Sequence, residues 1–207
     1  MYRNVFWDLG GTLVDTYPQL DAAFVEVVRR GGGEVSVQEV AQLTRRSTHA
    51  AMAALSERFG LDIGLFESAN QQLKNLWEHD PPPSMPGAKT LMRDIALGRG
   101  LNLVVTHRDR VSATALLGGL GLAVDDLIST ADGFPRKPDP TMYQVLLERH
   151  GLRASDCLAV GDRPIDATAA HRAGMAAAML ESAEAPVDDD AEYTVATLDE
   201  LRPLLGL

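Results

Sequence analysis

Four polar clusters in this chain combine residue types that can do chemistry. The first is Asp8-Leu9-Gly10-Gly11-Thr12-Leu13-Val14-Asp15, directly after the apolar Val5-Phe6-Trp7. A carboxylate at the end of a buried strand, followed by glycines, can stand among backbone N–H groups that cradle an anion. Alone, the same residues also describe a tight turn or helix cap. The second is Thr106-His107-Arg108-Asp109, after Leu101 to Val105. The Thr106 hydroxyl can donate to a phosphate oxygen, but Thr and Asp also make good N-caps. The third, Gly133 to Pro140, holds Arg136 and Lys137 between prolines. A stiff loop places an ammonium group well, although most lysines are simply on the surface. The fourth is Gly161-Asp162-Arg163-Pro164-Ile165-Asp166, after Leu158 to Val160. Carboxylates at 162 and 166 suit a hard cation such as Mg²⁺, or else a cap and a helix-dipole carboxylate.

These clusters need elements to hold them. Short apolar runs predict strands at Asn4–Trp7, Leu101–Val105, Leu127–Ile128 and Cys157–Val160, with a weaker Ala-rich run at Met175–Leu180. Helical spacing of apolar residues marks Gly87–Leu97, Val111–Leu120, Thr141–His150 and Ile165–Ala173. Strand and helix alternate, which predicts an α/β fold with a doubly wound, mostly parallel sheet. Residues 16–80 break the alternation. They read as helices over Gln19–Arg30, Val37–Arg46, His49–Phe59 and Leu65–Glu78, closed by the proline-rich stretch Asp80 to Gly87. The expected organisation is a Rossmann-like core from residues 1–15 and 81–207, with a helical cap inserted at 16–80. The cap would lie over the carboxyl ends of the strands, where such sheets bind ligands. The acidic run Asp188-Asp189-Asp190 reads as a solvated turn.

The composition bounds the function. The 207 residues carry 19 basic and 29 acidic groups, a net charge of −10, without a basic stripe, so nucleic acid is not the expected partner. No apolar run reaches membrane-spanning length, and the N-terminus lacks the pattern of a signal peptide. The single cysteine, Cys157, allows no intrachain disulfide, and cytoplasm is the expected location. A phosphorylated ligand would need local positive charge from a cation or a placed Lys or Arg.

Taken together and in this order, the four clusters resemble those of the haloacid dehalogenase (HAD) superfamily, in its phosphoglycolate phosphatase-like and β-phosphoglucomutase-like branch. The resemblance spans nearly the whole chain. It implies a Mg²⁺-dependent phosphatase acting on a small phosphorylated metabolite, as monomer or homodimer, with no nucleic acid or membrane partner. By resemblance, Asp8 is the nucleophile that forms an aspartyl-phosphate, and Thr106 and Lys137 position phosphate. Asp8, Asp162, Asp166 and the Gly10 carbonyl are the metal ligands. Leu9, Gly10 and His107 join Thr106 and Lys137 around the substrate. Within Thr44 to His49, Arg45 is the expected bidentate grip on a second anionic group of the substrate.

One position departs from the resemblance. The usual first motif reads Asp-x-Asp-Gly-Thr, and its second Asp is the general acid and base, a role worth about 10²–10⁴-fold in rate. This chain has Gly10 there. A phosphatase would then be limited to good leaving groups, or would borrow an acid such as His107 or His49. The alternatives are a weak or inactive phosphate-binding regulatory protein, or a 2-haloacid dehalogenase, which needs no metal. A phosphonate-cleaving reading would rest on Lys74, the one lysine of the insertion.

Overall fold

Val5, Phe6 and Trp7 are all fully buried, as a strand covered on both faces requires. They belong to β1 (Asn4–Trp7), the inner strand of a six-stranded sheet seen in a computed structural model that describes residues 1–182, 184 and 190–207. Asp188 and Asp189 lie outside the described residues. The other strands are β2 (Asn102–Val105), β3 (Asp126–Ile128), β4 (Cys157–Gly161), β5 (Ala176–Leu180) and β6 (Tyr193–Val195). Their order is β3-β2-β1-β4-β5-β6, and every neighbouring pair is parallel. Register is set by the core: Phe6 stands opposite Leu103 and Ala159, and Trp7 opposite Val104 and Val160.

Alternate residues feed opposite faces. On one face Val5, Trp7, Val104, Leu158 and Val160 pack against α5 (Ala88–Leu97) and α6 (Arg110–Leu120). On the other, Phe6, Leu103, Val105 and Ala159 pack against α7 (Thr141–Arg149) and α8 (Pro164–Arg172). A short α9 (Arg202–Leu205) closes the chain. The fold is therefore the expected doubly wound α/β sheet. The Ala-rich run proves to be β5. The edge strand β6 was not expected: it has three residues, only one of them buried.

Between β1 and α5 the chain forms α1 (Tyr17–Arg30), α2 (Val37–Thr44), α3 (Thr48–Phe59) and α4 (Ile63–Trp77). Pro18 sits in the first turn of α1, where a missing N–H costs nothing. Ser36 and Glu39 cap α2 reciprocally, and Gly60 ends α3 with the left-handed φ that glycine tolerates. Phe24, Val28, Val40, Leu55 and Phe66 give these helices their own apolar cluster, separate from the sheet's two. Trp77, at the end of α4, joins the sheet-side core instead. No helix among the described residues is long and apolar enough to cross a membrane.

Candidate active site

The sheet changes winding direction at β1, which lies between β2 and β4. A crevice therefore opens at the carboxyl ends of these strands. Asp8 follows β1 and is anchored by its backbone N–H to the Val160 carbonyl at 2.9 Å. Thr106 follows β2, and Asp162 follows β4. Asp166 lies in the first turn of α8. Lys137 comes from the proline-flanked loop before α7. Asp8, Thr106, Lys137, Asp162 and Asp166 are all buried.

The Lys137 ammonium reaches Asp8 Oδ1 and Asp166 Oδ1, each at 2.5 Å, and the Val105 carbonyl at 3.1 Å. Its three hydrogens are thus used on two carboxylates and a strand end. Burial opposes its charge, but Asp166 and Asp8 win, and its pKa rises above the ordinary range. Carboxylate oxygens of Asp8, Asp162 and Asp166 lie within 4.8 Å of one another. Desolvation first, then repulsion from Asp8 and Asp166, pushes Asp162 up to about 7. Such a crowd of hard, desolvated oxygens fits a small divalent cation, which would relieve the repulsion. Asp162 is further oriented by hydrogen bonds from Thr12 Oγ1 at 3.1 Å and from the Tyr17 hydroxyl at 2.6 Å. The Thr106 hydroxyl accepts from the Arg108 backbone N–H at 3.1 Å, which leaves its own proton free to donate. Asp109, not Thr106, is the N-cap of α6.

Asp8, Thr106 and Lys137 border a cavity of about 800 Å³ between the sheet end and the helices of residues 16–80. Gly10 and His107 line it with them. Leu9 has its side chain in the core, so only its backbone can serve a ligand. Arg45 is a correction. α2 ends at Thr44, and Arg45 turns back into the helices, where it pairs with Asp21 at 3.0 Å and lies 3.7 Å over the Tyr17 ring. Its neighbour Arg46 lines the cavity instead, with Ser47, Thr48 and His49. Lys74 also lines it, and burial followed by repulsion from Arg108 lowers its pKa.

His107 is not the borrowed acid. Its Nε2 accepts the Lys137 backbone N–H at 2.9 Å, and burial, with Lys137 and Arg136 nearby, lowers its pKa to about 3. It is neutral in the native state, against a reference value of 6.5. Between those values the unfolded chain binds the extra proton, so the native state loses stability as pH falls through that window. His107→Gln removes this dependence. The wild type's Tm should therefore drop relative to the variant's, by about 5 °C, on going from about pH 7.5 to about pH 5. Parallel melting curves check it; a constant gap would contradict it.

Sequence reasoning missed Tyr17 and Thr16, and it gave Thr12 no role. Tyr17 and Asp162 are far apart in the chain, and no local pattern links them. Thr16 is found only in the structure, where a Cβ added at Gly10 would come 3.1 Å from its Oγ1.

A parallel sheet with an acid cluster and a buried lysine at its carboxyl edge defines an α/β protein with a site suited to an anionic ligand and a cation. Residues 2–174 match the model of the haloacid dehalogenase-like hydrolase family, and the chain belongs to that family. It is similar to a phosphoglycolate phosphatase of Rhodospirillum rubrum, 30% identical over 84% of this chain and 78% of that one. It is also similar to the validoxylamine A 7'-phosphate phosphatase of Streptomyces hygroscopicus, 28% identical over 100% of this chain and 99% of that one. The crystal structure of a predicted phosphoglycolate phosphatase from Haemophilus somnus shares the fold, with a TM-score of 0.82 at 17% identity, covering 98% and 97% of the two chains.

Proposed function

We propose that the protein is a divalent-cation-dependent phosphatase, with Mg²⁺ as the natural ion, that cleaves a small phosphorylated metabolite through an aspartyl-phosphate on Asp8. One observation carries this: three buried carboxylates converge within 4.8 Å, two of them bridged by the buried Lys137. Desolvated charge on this scale costs stability, and ionisable groups perturbed in this way cluster at functional sites. The reading extends to this chain the phosphatase activity named for its relatives. Those relatives act on different phosphates at similar identity, so neither substrate transfers.

Asp8, Asp162, Asp166 and the Gly10 carbonyl would hold the ion. When bound, it supplies positive charge opposite the phosphoryl oxygens. The chain's own residues do the rest. Lys137 holds Asp8 Oδ1, which leaves the other carboxylate oxygen to attack phosphorus. The Thr106 hydroxyl donates to a phosphoryl oxygen and fixes the approach. Water then attacks the phosphorus of the aspartyl-phosphate, and the bond to Asp8 breaks. The helices over residues 16–80 act as a cap that limits water during the first step. Arg46, Lys74, Arg108 and Arg136 line the cavity of a chain whose net charge is −10, which suits a substrate with a second anionic group. Cytoplasmic action, as monomer or dimer, completes the reading.

The test is phosphate release from an aryl or acyl phosphate. Turnover should fall by about 10³-fold or more in excess chelator and return with added Mg²⁺. Unchanged turnover by metal-stripped protein would sink the proposal.

A further inference from the structure

Two arginines, Arg108 and Arg163, flank the acid cluster in sequence, and the fold separates their roles. Arg108 is engaged: Nη1 donates to Ser112 Oγ at 3.0 Å, and its guanidinium lies 4.9 Å from the Trp77 ring centroid. Arg163 is not. Its backbone N–H holds Asp166 Oδ2 at 3.2 Å, which fixes the start of α8. It lines the same cavity as Asp8, Gly10, Thr16 and Tyr17. Its Nε is buried with no hydrogen-bond partner. A buried guanidinium N–H without an acceptor costs free energy unless a ligand supplies one. Burial opposes its charge, and the carboxylates of Asp8 and Asp166 are the largest influences that favour it. It is therefore a cation in the cavity of the nucleophile with a donor still to be satisfied.

We propose that Arg163 takes over the electrostatic half of the role that Gly10 leaves vacant, by stabilising negative charge on the leaving oxygen. The inference rests on the phosphatase reading. As Asp8 bonds to phosphorus, the ester P–O bond breaks and its electron pair goes to the leaving oxygen. That oxygen faces the Arg163 guanidinium and takes its proton from water. A guanidinium cannot give up a proton at neutral pH. Its help therefore scales with the charge the leaving oxygen must bear. The substrate class narrows accordingly to phosphates of acidic hydroxyls, such as acyl, enol or aryl phosphates, ahead of simple alkyl esters.

The experiment is kcat/KM across aryl phosphates from dinitrophenyl to phenyl, for wild type, Arg163→Gln and Arg163→Lys, with inorganic phosphate as inhibitor. Arg163→Gln should lose about 10-fold on the dinitrophenyl ester and about 10³-fold on the phenyl ester, with phosphate inhibition unchanged. Arg163→Lys should give an intermediate slope. Equal loss across the series, or a loss that appears only as weaker phosphate inhibition, overturns the proposal. If the glutamine variant does not fold, the lysine variant decides: a wild-type slope at reduced rate is then the overturning result. Asp8-dependent turnover by the wild type tests the phosphatase reading separately, and its absence removes both.

Discussion

Asp8→Asn will fold like the wild type and turn over phosphate esters about 10⁴-fold more slowly or worse, because loss of a nucleophile removes the reaction path itself. Asp8 is 2% exposed and held by its backbone to Val160, so an isosteric amide keeps the geometry. The electrostatic consequences oppose one another. Lys137 loses one partner but keeps Asp166 and the Val105 carbonyl. Asp162 loses the like charge that, after burial, most raises its pKa. Breaking a buried pair destabilises, whereas relieving a buried repulsion stabilises. The net change in Tm should stay within about 5 °C. A phosphate assay beside a melting curve checks both parts. Retention of more than about 1% of turnover by a folded variant would overturn the role of Asp8, because the group that forms the covalent intermediate cannot be dispensable.

The site was legible where chemistry coincides with chain order. Asp8, Thr106 and Asp162 each follow a short apolar run, and a parallel sheet brings such ends to one edge whatever the loop lengths. The prolines marked the loop of Arg136 and Lys137, and the family resemblance singled out Lys137. What stayed hidden depends on contacts that the local sequence does not encode. Arg45 and Arg46 were one residue apart in a plausible gripping stretch. The end of α2 at Thr44, and the pull of Asp21, decided which of them turned inward. The Tyr17 hydroxyl meets Asp162 only after α1 docks on the sheet edge. The β6 strand has too few buried residues for alternation to show, and it forms because β5 offers an open edge. His107 looked like an available acid. The backbone N–H of Lys137 claims its Nε2 only because the β2 and Lys137 loops meet.

Gly10→Asp will raise turnover of poor leaving groups by about 10²-fold, the low end of what a placed general acid contributes. The backbone permits it. Gly10 is not among the residues with positive φ, whereas Gly11, at φ 90°, must remain glycine. The new Cβ would come 3.1 Å from Thr16 Oγ1, so the Thr16 side chain has to give by a few tenths of an ångström. The gain falls at the low end because the new carboxyl would enter the field of Arg163, which favours its ionised form. An ionised carboxylate is a poor acid in the first step but a good base for water in the second. For phenyl phosphate, where leaving-group departure limits the rate, the gain should appear in kcat/KM. For dinitrophenyl phosphate, whose leaving group needs no proton, kcat/KM should change little. A gain instead in kcat would show that hydrolysis of the aspartyl-phosphate limits that substrate. Equal rates for Gly10→Asp and wild type on every ester, with the variant folded and Asp8 intact, would mean that proton transfer at this position does not limit the enzyme.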